Sequence, residues 1–97
     1  MPEPIQSLGL EIDEKLTIGQ VEVIHSEWTE YLKAKQDISI DARNVKQVDS
    51  AGLQLLIAFV LAVNKQGKAV SWIGYSQPII EVIELLGMER YLMSESG

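Results

Sequence analysis

The chain contains no cysteine and one histidine, His25. Without cysteine there is no disulfide, no thiolate nucleophile and no zinc–thiolate site, which fits a reducing cytosol. One histidine and scattered carboxylates give no metal-ligand spacing. Positive charge is scarce: Lys and Arg total 8 against 14 Asp and Glu, a net charge of −6. That balance argues against a nucleic-acid partner or an anionic membrane surface, because both need clustered positive charge. The longest apolar run, Leu55 to Val63, falls short of the ~20 residues that span a bilayer. Met1-Pro2-Glu3-Pro4 lacks the basic and apolar regions of a secretion signal. No G-x-x-x-x-G-K-[ST] loop is present, and Gly67-Lys68-Ala69 follows a helix instead of opening one. The expectation is a cytoplasmic chain with no cofactor, no metal and no segment inserted in a membrane. There is no repeat, no low-complexity stretch and no dividing linker. Ninety-seven residues, 46% of them apolar, make one domain (1–97, core about 8–92) around one core.

What is present alternates in character. Met1 to Gln6, with two prolines, forms a loose arm or a short edge strand. Leu8-Gly9-Leu10-Glu11-Ile12 has period two, which predicts a half-buried strand with Leu8, Leu10 and Ile12 inward. Asp13-Glu14-Lys15 is a polar break. A helix opens at Thr17 or Gly19, with Val21, Ile24, Trp28, Tyr31 and Leu32 at helical spacing. Ile38 to Ala42 is a second strand, followed by a second helix from about Ala51 to Gln66, stopped by Gly67. Ala69 to Ile73 is a third strand. Ser76-Gln77-Pro78 starts a third helix, with serine as cap and proline in the first turn. Ile79, Ile80, Val82, Ile83, Leu85 and Leu86 supply its buried face, and Gly87 ends it. Met88 to Met93 would add a short turn, and Ser94 to Gly97 would fray. This order predicts an α/β fold: a three- to four-stranded, mostly parallel sheet with helices packed mainly on one face. Trp72 either covers the second face or belongs to the core.

Asp49-Ser50-Ala51-Gly52-Leu53 places a carboxylate and a hydroxyl side by side where the second helix begins. Helix N-termini carry unpaired N–H groups and partial positive charge. A serine there can cap the helix and, if phosphorylated, would hold an anion where anions are favoured. Asp41 and Asp49 both fall near strand C-terminal ends, where open α/β sheets bind ligands. The simpler alternative is that Asp49 and Ser50 only cap a helix. Val48-Asp49-Ser50-Ala51-Gly52 also resembles a nucleophile elbow, with Val48 in place of the first glycine. A serine nucleophile needs an oriented base, and nothing in the sequence brings His25 to Ser50.

The second helix carries a further signal. At 100° per residue Gln54 and Lys65 project to one side, with Ala58 and Leu61 between them. Leu53, Leu56, Val60 and Val63 form the opposite, core-facing stripe. The outward face is therefore small and apolar, which suggests docking. The alternative is that Leu61 and Ile57 lie under a neighbouring helix.

Ile38-Ser39-Ile40-Asp41, then Val48-Asp49-Ser50-Ala51-Gly52-Leu53, the apolar helix to Gly67, the strand Ala69 to Ile73, and Ser76-Gln77-Pro78 with Leu85-Leu86-Gly87-Met88 resemble the STAS domain family. The likeness is to bacterial anti-sigma factor antagonists and extends from about Leu8 to Leu92. It implies a small sheet flanked by helices and a non-enzymatic role. In antagonists of this type, the serine after the aspartate is phosphorylated by a partner kinase; that position is Ser50. The next residue, often serine, is Ala51 here, leaving one candidate hydroxyl. The family also includes accessory subunits of lipid-transport ABC systems and domains appended to anion transporters, and some members lack phosphorylation. The first edge strand looks short, and the usual glycine before the first helix is missing near Lys15 to Gly19. A shortened edge could pair with a second copy to give a homodimer.

The expected function is a regulatory protein-binding module, with an anti-sigma type serine kinase as partner. Ser50 is the phosphoacceptor. Asp49, Gly52 and Asp41 shape the site, and Gln54, Ile57, Ala58, Leu61 and Lys65 contact the partner. The alternatives are a constitutive subunit of an assembly such as a lipid-transport ABC complex and, last, a serine hydrolase.

Overall fold

The computed structural model describes residues 7–34 and 36–87. Strand β1 (Leu8–Glu11) is followed by β2 (Lys15–Leu16), a 3₁₀ turn (Ile18–Gln20) and helix α1 (Val21–Ala34). Strands β3 (Ile38–Ala42) and β4 (Gln47–Val48) lead into α2 (Ser50–Lys65), and β5 (Val70–Tyr75) precedes α3 (Gln77–Leu86). The main sheet has the order β1-β3-β5 with both pairings parallel. Parallel neighbours need a crossover, and α1 and α2 supply them. The proposed arm at Met1 to Gln6 and the turn and fray after Gly87 lie outside the described residues.

The strand pattern explains the layering. Along β3, Ile38, Ile40 and Ala42 are buried while Ser39 and Asp41 on the opposite side are only partly so. Side chains alternate across a strand, so the helices pack on one face. The other face carries polar groups: Ser39 and Ser71 approach with their hydroxyl oxygens 3.3 Å apart, and Asn44 Nδ2 donates to Glu11 Oε2 at 2.8 Å. Trp72 pairs in register with Ile40, so it shares the helix-covered face and packs at the margin of the core. A bulge between Ile40 and Asp41 shifts the pairing, so that Gly74 follows Trp72 in register. The extra residue lets Tyr75 return to the Trp72 side, where the two rings stack with centroids 4.8 Å apart.

The polar break expected at Asp13 to Lys15 is partly a strand. Lys15 and Leu16 pair with Gln47 and Val48 in a second, two-stranded parallel ladder. Leu16 is fully buried, and Glu14 O accepts from Lys46 N at 2.7 Å and from Gln47 N at 3.0 Å. Two-residue strands carry no periodicity, so only the pairing reveals them.

Helix α1 buries Trp28 against Phe59 of α2, ring centroids 5.1 Å apart. Helix α2 buries the expected Leu53, Leu56, Val60 and Val63, and Phe59 and Gly52 besides. Gly67 at φ 80° and Gly87 at φ 68° end α2 and α3 in the left-handed region, as their positions predict. In α3 only Ile79 and Ile83 are fully buried. Leu85, expected inward, is 82% exposed because it projects opposite Ile83. Leu86, in the last turn of α3, is also exposed. Ser76 occupies the N-cap of α3 without a side-chain cap bond; its Oγ is buried with no partner among the described residues.

Candidate functional site

The candidate site forms where β2, the 3₁₀ turn and β4 converge on the start of α2. Leu16 O accepts from Asp49 N at 3.2 Å, which continues the β2–β4 ladder to the threshold of the helix. Asp49, in extended conformation, is the N-cap of α2. Its Oδ1 accepts from Gly52 N at 2.8 Å and its Oδ2 from Ile18 N at 2.9 Å. One carboxylate thus satisfies an orphan N–H of α2 and clamps the turn before α1. Those N–H bonds, the Gly52 bond first and the Ile18 bond second, hold the Asp49 pKa below its ordinary value.

Ser50 is therefore not the cap. It occupies the first helical position, exposed, and its hydroxyl enters none of the bonds that fix this junction. A group attached to its Oγ would stand at the positive end of α2 without displacing the Asp49 carboxylate.

Gly52 is buried, and a Cβ placed there would lie 1.9 Å from Leu16 O and 2.5 Å from Leu16 C. The absent side chain is what lets α2 approach the backbone of β2. The sequence marks Gly52 as part of the motif, but the close approach appears only in the packing. Ile18, absent from the expected site, is held by Asp49 and is 69% exposed, so it adds apolar surface at the junction.

Asp41 stands apart. Its carboxylate takes Arg43 Nε at 3.0 Å and Arg43 Nη2 at 2.9 Å, and Arg43 N also donates to it at 3.0 Å. The side-chain bonds to Arg43, then the backbone bond, lower its pKa to about 2. It belongs to the face of the sheet that no described helix covers, whereas Ser50 opens a helix on the covered face. Its charge is paired where it stands.

The outward face of α2 lies as the spacing predicts. Gln54, Ala58, Leu61 and Lys65 are exposed, with Leu61 50% accessible. Ile57 is half-buried and packs against the core, so it borders that face. No described helix covers Leu61. His25 lines a shallow cleft of about 140 Å³ between α1 and α2, beside Leu55, Ala58 and Ala62. The α2 residues of this cleft begin at Leu55, more than a turn beyond Ser50 and roughly 7 Å along the axis. Hydrolysis at Ser50 would need a base within hydrogen-bond reach, and the fold places the one histidine elsewhere. Among the described residues no group of three His, Cys, Asp or Glu could hold a metal ion, and no helix is long and apolar enough to cross a membrane.

A family model described as Mlab, STAS domain, matches residues 3–94. No curated protein matches the chain.

Proposed function

The chain belongs to the STAS domain family, and we propose that it is a regulatory protein-binding module switched at Ser50 by a partner serine kinase of the anti-sigma type. The observation that carries this reading is an exposed serine in the first turn of α2, beside a carboxylate whose oxygens already bind two backbone N–H groups. The hydroxyl is accessible to a kinase. Phosphate would add about −1.5 to −2 charges at pH 7 next to Asp49. Gln54, Ala58, Leu61 and Lys65 present the docking face, with Ile57 at its border. The unmodified protein binds its partner there, and the added charge repels an acidic or apolar partner surface without refolding the domain. The module acts in the cytoplasm and has no catalysis of its own.

Incubation with the kinase that co-purifies with the untagged chain, followed by peptide mapping, tests this. Phosphate should fall on Ser50 and vanish in Ser50→Ala. Modification chiefly at Ser39, Ser71 or Ser76 rejects the assignment. A constitutive subunit of an assembly, such as a lipid-transport ABC complex, is the second reading. It draws on the Asp49 clamp, which preforms the surface whether or not Ser50 is modified. Stable co-purification with no phosphate on Ser50 favours it.

A further inference from the structure

A further concavity is lined by neither Ser50 nor any other residue of α2. It has a volume of about 600 Å³ and runs between the β1–β2 connection and the first two turns of α1. Its floor is apolar: buried Ile12 and Trp28, half-buried Ile24, and Val23. Val23 is 62% exposed on a helix whose apolar stripe, through Ile24 and Trp28, lies to one side of it. An isolated exposed valine needs no explanation, but one flooring a groove is surface waiting to be covered.

The rim is predominantly acidic. Glu11, Asp13, Glu14 and Glu27 line the groove against a single cation, Lys15. Lys46 approaches Glu14 at 3.6 Å, and Glu11 accepts from the neutral Asn44 amide and feels the charge of Arg43, whereas Asp13 and Glu27 enter no ion pair among the described residues. Carboxylates around an apolar floor repel an acidic or anionic-lipid surface and attract a cation that also carries apolar area.

We propose that this groove is a second docking site, for a basic amphipathic segment of a partner protein. Its apolar side chains cover Val23 and Ile24, and its Lys or Arg residues meet Asp13 and Glu27. The site goes beyond the Ser50 surface and does not depend on it. It fits the chain's surplus of negative charge, part of which would act as recognition.

The test uses the full chain and two labelled 14-residue helical peptides, one built from Leu and Lys and one with Glu replacing every Lys. Binding is followed by fluorescence anisotropy and by amide chemical shifts. The Lys peptide should bind, shift the amides of residues 12–15 and 19–28, and weaken with added salt; the Glu peptide should not bind. Asp13→Asn with Glu27→Gln should lower affinity by roughly fivefold, as should Val23→Ser. Glu81→Gln with Glu84→Gln, an equal charge change on α3, should leave it unchanged, as should Leu61→Glu. These positions are exposed, so the fold survives the changes. Equal losses in the rim and α3 variants, or shifts spread over the whole surface, would overturn the proposal. So would nuclear Overhauser contacts showing the groove filled by the chain's own residues or by a second copy. A phosphate-free Ser50 would leave it standing.

Discussion

Gly52→Ala reverses sign between helix propensity and packing. Alanine is the better helix former by up to about 1 kcal/mol, so an isolated α2 would gain. In the fold, the new methyl would sit 1.9 Å from Leu16 O, whereas ordinary contact begins near 3.4 Å. The start of α2 would have to retreat from β2 by about 1.5 Å, and the obstructing atoms are backbone, which cannot swing aside. Overpacking costs typically ~1–3 kcal/mol, and a backbone clash belongs at the upper end. Net destabilisation of about 2 kcal/mol follows, with Tm lowered by roughly 8–16 °C for a domain of this size. A domain of ordinary stability, ~5–15 kcal/mol, remains folded at room temperature. Thermal and urea unfolding of wild type, Gly52→Ala and Gly9→Ala measure this. Gly9 has nothing within 4 Å of its would-be Cβ, so that variant should stay within about 0.5 kcal/mol. The retreat would also loosen the Asp49 bonds to Gly52 and Ile18, so the Ile18 amide should exchange faster. A Gly52→Ala variant as stable as wild type would refute the close approach of α2 to β2.

Leu56→Ala removes a fully buried side chain and should cost roughly 2–5 kcal/mol in urea unfolding. Leu61→Glu, on the exposed face, should change stability by less than about 1 kcal/mol yet weaken partner capture in pull-downs; if it unfolds the domain, the helix rotation is wrong. Ser50→Asp carries one charge where phosphate carries nearly two, so calorimetry should rank partner affinity as wild type, then Ser50→Asp, then phosphoprotein; equal affinities reject the switch. Asp41 has a folded pKa of about 2, below its unfolded value. Its contribution to stability is therefore complete above about pH 4 and is lost as pH falls toward 2. Arg43→Ala should raise the Asp41 pKa toward 3.8 in a carboxyl NMR titration, and an unchanged value would dismiss the ion pair.

The sequence by itself determined most of the architecture. Period-two alternation at Leu8, Leu10 and Ile12 and helical spacing at Leu53, Leu56, Val60 and Val63 are local signals. Each records which side of an element meets the core, so the succession of strands and helices along the chain and these buried faces could be read before any contact was known. The same arithmetic put Leu61 outward, and the stop at Gly67 followed from its conformational freedom. Tertiary structure decided what depends on partners distant in the chain. Lys15 and Leu16 become a strand only because Gln47 and Val48 lie beside them. Asp49, not Ser50, takes the cap because its carboxylate reaches Gly52 in its own helix and Ile18 across the fold. Asp41 pairs with Arg43 because alternation along β3 turns it to the sheet face that no described helix covers. Gly52 is required by a carbonyl oxygen from a strand that the sequence did not disclose. Periodicity encodes burial along one element, whereas hydrogen-bond partners and close approaches are set between elements, and only the packed chain specifies those.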